Sequence, residues 1–312
     1  MSKKWRVALI LSLTIMVSVL ISACQSKTVT YSTSPVPSTT TTSNVSSNPG
    51  AFDCVPGGII TSGSTALQPY VEAVAGSYTA KCPSARITVQ PDDSLRGLND
   101  VQYDVSQIGN SDIPALDTQT DLVDHQVAIA IFAMIVNPAV RVSTIKSRDL
   151  AGIYTGKITN WSQIGGANIP ITVVSRPITS GTRGTFKSFV LDGQNESPGH
   201  TRNLTVASTG TLIQTVAQTR GAIGYASLGS ALAAGLQVSI VKIDNKEPSL
   251  NNVRTNSYKF WSVEHMYTKG QPGDLAQAFL NYMLSNDAST IGKKLRFFKI
   301  TDVPQSIIGI HR

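Results

Sequence analysis

Cysteine and histidine are scarce in this 312-residue chain, at three and four residues. The histidines (His125, His200, His265 and His311) are scattered, and none stands at zinc-site spacing. Neither a metal centre nor a cofactor is therefore expected. No nucleophile context surrounds the histidines either. Ser143-Thr144-Ile145-Lys146 has the Ser-x-x-Lys spacing of some serine acyltransferases, but no Lys-Thr-Gly partner follows, and so short a pattern arises often by chance. Charge is sparse as well, at 14% of residues, and no basic stripe runs along the chain. Nucleic acid is not an expected partner.

What is present begins with an export signal. Lys3, Lys4 and Arg6 precede an apolar run from Val7 to Ile21, too short for an ordinary membrane span, and Ser22-Ala23-Cys24 closes it. The segment Ile-Ser-Ala-Cys looks like a bacterial lipobox, which implies cleavage after residue 23 and a lipid on the Cys24 thiol. A plain signal peptide or an N-terminal anchor helix is the alternative. Loss of the segment lowers Lys and Arg together from 26 to 23 against 19 Asp and Glu, a mature net charge of +4. Residues 24–53 are rich in Ser, Thr, Pro and Asn with almost nothing to bury, which reads as a disordered tether. About thirty such residues reach roughly 30 Å.

The rest, about 260 residues from Cys54, suffices for one large domain or two lobes. With Cys24 set aside, Cys54 and Cys82 remain. Either they pair in an oxidising compartment, stabilising the fold by roughly 3–4 kcal/mol, or they lie buried as free thiols.

Strand and helix patterns alternate along this body. A strand near residues 55–61 leads through Ser-Gly-Ser-Thr-Ala-Leu-Gln-Pro to a helix with Leu67, Tyr70, Val71, Val74, Ala75 and Tyr78 on one face. Pro69 is tolerated only in a first turn, so that helix is expected to start near Ser64 or Thr65. A strand at 86–90 precedes a helix opening at Asp92-Asp93-Ser94, and a strand at 105–108 delivers Asp112 just past its C-terminal end, where ligands collect in open α/β sheets. The long apolar run 127–136 and the aromatic stretch 258–267 read as two crossings between lobes. The fold class expected is α/β with two lobes, each a mostly parallel sheet flanked by helices, and a ligand cleft between them. Residues 54–136 with 258–312 form the first lobe, and 137–257 the second.

The most informative stretch is 169–190. A β-branched strand at 171–174 runs into a turn holding Arg176, Ser180, Gly181 and Thr182, then into a helix with Phe186, Phe189 and Val190 on its apolar stripe. Unpaired amides and the positive dipole end at a helix N-terminus attract an anion, and Gly181 permits close backbone approach. Arg176 adds a forked, charged donor. An ordinary Ser cap with a solvated Arg is the plain alternative.

Four segments in order, S-G-S-T-A-L-Q-P, I-G-N-S-D, I-Y-T-G-K-I-T-N-W and S-R-P-I-T-S-G-T-R-G-T-F, carry a resemblance from about Val55 to the C-terminus. The chain resembles the phosphate-binding proteins of phosphate ABC transporters (PstS type). The resemblance implies a type II periplasmic-binding-protein fold with inorganic phosphate in the cleft, no enzymatic activity, a monomer, and delivery to ABC permease subunits. The export signal and lipobox, rather than this resemblance, place the mature chain outside the cytoplasm, held by lipidated Cys24 to the outer face of the cytoplasmic membrane. By motif, the phosphate contacts the resemblance implies are Ser64, Thr65, Ala66, Ser94, Asp112, Arg176, Ser180, Gly181 and Thr182. One departure stands out: family members often carry a glycine-rich stretch where this chain has Pro91-Asp92-Asp93-Ser94. Two carboxylates there repel a dianion unless they point away or pair with Arg96. Another tetrahedral oxyanion, or a surface or sensor role without transport, is the alternative. Asp112 is the odd member of a donor set, because an ionised carboxylate only accepts. It tolerates hydrogen phosphate, which has a proton to donate, and disfavours sulfate, which has none.

Overall fold

A computed structural model of the chain describes residues 48–197 and 202–311. The expected signal segment, Cys24 and most of the expected tether lie outside them. In chain order the body runs β1 (Gly57–Ser64), α1 (Gln68–Lys81), β2 (Ala85–Asp92), α2 (Ser94–Gln102) and β3 (Ile108–Ser111). Then come β4 (Leu122–Val136), β5 (Thr144–Ile145), α3 (Ser147–Tyr154), β6 (Thr172–Ser175), α4 (Gly181–Phe189), β7 (Arg202–Thr205), α5 (Thr209–Gln218) and β8 (Ala222–Ser227). The remainder is α6 (Leu228–Ala233), β9 (Ser239–Ile243), α7 (Leu250–Arg254), β10 (Trp261–Lys269), α8 (Asp274–Met283), α9 (Asn286–Lys294), β11 (Phe297–Phe298) and α10 (Gln305–Ile308).

The strands lie in the order β2-β1-β3-β10-β4-β8-β6-β7. Two groups of parallel strands, β2-β1-β3 and β8-β6-β7, sit at its two ends. Between them β10 and β4 run antiparallel to their neighbours, so antiparallel pairs join the two parallel groups. The physical reason lies in β4. Its first part pairs with β10 through Ile131, and its last residues, Phe132 to Val136, pair with β8. A single 15-residue strand thus serves both groups, which is why its apolar run exceeds the length of an ordinary strand. Every residue from Val127 to Val136 is buried.

The return crossing is stitched to the same point. Phe132 N–H donates to Phe260 O at 3.0 Å, and Tyr258 Oη donates to Phe132 O at 2.7 Å. The rings of Phe132 and Phe186 stand 5.2 and 5.3 Å from Phe260, and Tyr154 meets Phe186 edge-on at 4.6 Å. Tyr154, Trp161 and Trp261 are core residues, fully buried.

Two expectations need correction. Residues 48–53 are not free tether: Gly50 N–H donates to Asn281 O at 2.9 Å, and the Phe52 ring packs edge-on against Tyr78 and Tyr282 at 5.4 and 5.5 Å. One aromatic side chain is enough to dock this segment. The helix after β1 starts at Gln68 rather than Ser64 or Thr65, because Ser64 Oγ accepts from the amides of Ala66 and Leu67 at 3.1 and 3.2 Å and turns the chain first. Cys54 and Cys82 are joined as a disulfide with Cα atoms 5.2 Å apart, tying the start of the body to the end of α1.

The chain end is clamped as well. The His311 ring stacks on Phe189 of α4 and on Trp261 of β10, 3.8 Å from each, at 6% exposure. Burial first, and Lys259 after it, lower its pKa from 6.5 to about 4, against a raising contact from the Trp261 backbone. The unfolded chain therefore binds the extra proton between those two values. Stability is full above pH 6.5 and falls as pH drops toward about 4. In His311→Gln that part of the acid loss, at most about 3 kcal/mol, disappears. Urea midpoints of both proteins across this range check it; identical slopes refute it.

Candidate functional site

The turns that follow β1, β3 and β6 and the starts of α2, α4 and α5 meet at one place. Ser64 ends β1, Asp93 occupies the N-cap position of α2 without a side-chain capping bond, Ser180 caps α4 by accepting from Arg183 N, and Ser208 caps α5 by accepting from Thr211 N. The positive dipole ends of three helices are thus gathered at one locus, a setting that favours an anion. Gly97 makes the convergence possible, since a Cβ there would stand 2.6 Å from Ser62 O and 2.8 Å from Gly63 Cα. Only a residue without a Cβ lets α2 lie this close against β1 and β3.

Asp112 sits at the centre, just beyond β3 and 3% exposed. Ser64 Oγ donates to its Oδ1, and Thr182 Oγ1 donates to its Oδ2 at 2.6 Å. The Asp112 amide donates to Ser94 Oγ at 3.1 Å. Gly181 faces the same group closely: a Cβ on it would meet Ser94 Oγ, with Ser94 Cβ at 2.8 Å and Asp112 Cβ at 3.0 Å.

Arg176 forms the other side, with its side chain at 2% exposure. Its Nη2 donates to Asp93 Oδ1 at 2.5 Å and to Ala207 O at 2.9 Å, and its Nη1 donates to Thr209 Oγ1 at 3.3 Å. Nε is buried with no partner among the described residues. Thr65 Oγ1 accepts from the Thr209 amide at 3.1 Å and lies 3.2 Å from Thr209 Oγ1. The structure therefore brings Ser64, Thr65, Ala66, Ser94, Asp112, Arg176, Ser180, Gly181 and Thr182 together. Cys24 lies outside the described residues.

The two members of the acidic pair at 92–93 take different courses. Arg96 does not meet them; Arg96 Nε bonds Asp100 Oδ1 at 2.7 Å, one helical turn on. Asp93 instead takes Arg176 and accepts from Thr179 Oγ1 at 2.7 Å, while Asp92 is exposed. The reason is spacing within α2, where residue 96 faces residue 100 and the cap at 93 faces across to β6.

Sequence reasoning missed Asp93 as the partner of Arg176, and also Thr209, Arg183, Glu196 and Glu264. Ser208-Thr209-Gly210-Thr211 carried a usable signal, being another hydroxyl-rich turn before a helix. Arg183 Nη1 donates to Arg176 O at 2.7 Å, and its Nε lies 3.4 Å from Glu196 Oε2. Glu196 also accepts from Ser175 Oγ and from Tyr225 Oη, the latter at 2.8 Å. Burial raises the Glu196 pKa despite these donors. This cluster holds the Arg176 backbone from behind. Glu264 was the one acid within an otherwise uncharged stretch, Trp261-Ser262-Val263-Glu264.

The chain matches the model of a PBP superfamily domain over residues 32–287. It is 41% identical over 235 residues to the phosphate-binding protein PstS of Bacillus subtilis (strain 168), a match covering 74% of this chain and 76% of that protein. Among solved structures it is similar to a Clostridium perfringens chain with bound phosphate, assigned as a phosphate ABC transporter substrate-binding protein. That match has a TM-score of 0.73 and 29% identity and covers 78% of this chain and all of the other. An ABC-type phosphate transport receptor from Vibrio cholerae has the same fold, with a TM-score of 0.62 at 24% identity, over 77% of this chain and 99% of that one.

Contact across the site depends on Gly181. In Gly181→Ala the added Cβ forces the start of α4 away from Ser94 and Asp112, at a cost of about 1–3 kcal/mol. A lower thermal midpoint and a larger radius of gyration in small-angle scattering, with an unchanged circular dichroism spectrum, are expected. Scattering and midpoint equal to wild type count against it.

Proposed function

The chain belongs to the phosphate-binding proteins of ABC transporters, and from that premise we propose that it captures inorganic phosphate between its two lobes and hands it to an ABC permease. Its two α/β halves, joined by crossing strands, are the lobes of a type II periplasmic-binding-protein fold. Residues 54–136 with 258–312 make one lobe and 137–257 the other. The two crossings near Phe132 and Phe260 serve as the hinge. Thr65, Ser94, Arg176, Ser180, Gly181 and the Thr182 amide donate to the anion, the hydroxyls of Ser64 and Thr182 hold Asp112, the Ala66 amide supports Ser64 Oγ, and Asp112 accepts the ligand's proton.

The observation that carries this reading is the unmet donor on a buried guanidinium. Arg176 Nε has no partner among the described residues at 2% side-chain exposure, and a buried charged donor left unpaired is costly. A tetrahedral oxyanion answers it, while hydroxyls and helix starts answer the remaining oxygens. Asp93 already neutralises Arg176, so affinity comes from directed hydrogen bonds and helix dipoles rather than from net positive charge. Asp112 then requires a ligand oxygen that bears hydrogen. Hydrogen phosphate has one and sulfate does not.

The chain works as a binding protein and not as an enzyme. It acts as a monomer outside the cytoplasm, held to the membrane by lipid on Cys24 after removal of residues 1–23. Within residues 48–53, Gly50 and Phe52 pack on the body.

Isothermal titration of the purified chain, stripped of bound phosphate, tests the reading near neutral pH. Saturable phosphate binding is expected, with sulfate weaker by about 100-fold or more. Arg176→Ala lowers phosphate affinity by about 100-fold or more, and Asp112→Asn brings sulfate and phosphate closer together. Equal affinity for both anions in wild type removes the selecting role of Asp112. Binding of neither overturns phosphate capture.

A further inference from the structure

Glu264 is fully buried in β10, at 0% exposure. His265 pairs with Ser111, so Glu264 stands across from Asp112, one position beyond the end of that ladder. On its other side it pairs with Ala128, and the register with β4 shifts immediately after it. Ser262 Oγ donates to Glu264 Oε1 at 2.6 Å. Oε2 has no donor among the described residues. The side chain across the ladder from Glu264 is that of Asp112, another acceptor, close enough for the two carboxyls to interact. Two carboxyl groups form a hydrogen bond only when one of them carries the proton.

The other charged groups on the surrounding elements are engaged elsewhere. Asp124 on β4 takes His265 Nδ1 at 2.8 Å, and His125 on β4 meets Thr268 Oγ1 at 3.0 Å. Arg96 and Asp100 on α2 pair at 2.7 Å, and Arg176 pairs with Asp93 across the site. Among the described residues no cation pairs with Glu264. Burial, then the charge of Asp112, hold its pKa well above the usual carboxylate range, with Ser262 opposing.

We propose that Glu264 is a proton-bearing positioning residue, which donates to Asp112 from behind and keeps Asp112 an acceptor reserved for a protonated ligand oxygen. An ionised carboxylate offers about four acceptor places. The hydroxyls of Ser64 and Thr182 and the Glu264 carboxyl address three of them, which leaves one for the ligand. A second negative charge at Glu264 would repel the bound anion, so the neutral acid serves both ends.

This inference rests on the phosphate reading, and the test separates the two. Phosphate and sulfate are titrated calorimetrically from acid to neutral pH against wild type, Glu264→Gln and Glu264→Met. Glutamine keeps a neutral donor, so phosphate affinity, its acid limb and sulfate rejection stay as in wild type. Methionine keeps the volume but not the donor. There the phosphate-to-sulfate affinity ratio falls about tenfold. Infrared difference spectra of wild type against Glu264→Gln show loss of a protonated-carboxyl band, a readout that survives if the methionine variant fails to fold. A methionine variant identical to wild type, a glutamine variant that fails to rescue, or no lost carboxyl band overturns the role of Glu264. Wild type that binds neither anion overturns both readings.

Discussion

A guanidinium at 2% side-chain exposure has to be paired, and Arg176 finds its pair in Asp93, on an element of the other half of the molecule. Burying such a pair costs several kcal/mol per ion before any attraction is counted. The cost is offset only where further hydrogen bonds complete the geometry, and Ala207 O and Thr209 Oγ1 supply them. The turn after β6, the start of α2 and the start of α5 are thereby held at one point. Much of the site's shape follows from this single requirement.

Around that pair the chain repeats one local device, a strand followed by a hydroxyl-rich turn and a helix start. Each helix start brings amides that its own hydrogen bonds cannot use. Small residues at the points of closest approach, Gly97 under α2 and Gly181 at the start of α4, let these ends come near one another. The site is correspondingly built from backbone dipoles and neutral hydroxyls, with one acid, Asp112, placed among them. Behind it a second acid, Glu264, adds no donor conflict so long as it is neutral.

Elements with strong local signals were legible in the sequence. The helix Ser147–Tyr154, the helix opening at Asp274, the long strand through residues 127–136 and the position of Asp112 past a strand end stand where periodicity and punctuation placed them. Local signals failed where a turn competed with a helix, as at Ser64, whose hydroxyl takes two amides before α1 begins. They failed again at Phe52, where a polar, Pro-rich context hid a single docking ring.

The sequence by itself determined the βα order, the apolar length of β4 and the three hydroxyl-bearing segments of the candidate site, because each is encoded within a few neighbouring residues. Only the tertiary structure decided the partners. Asp93 rather than Asp100 meets Arg176, Thr209 joins Thr65, and Glu264 stands behind Asp112. Such pairings join residues 83 to 152 positions apart in the chain. They are set by which strands lie side by side and by the need to leave no buried charge without a partner, and neither condition is written in local sequence.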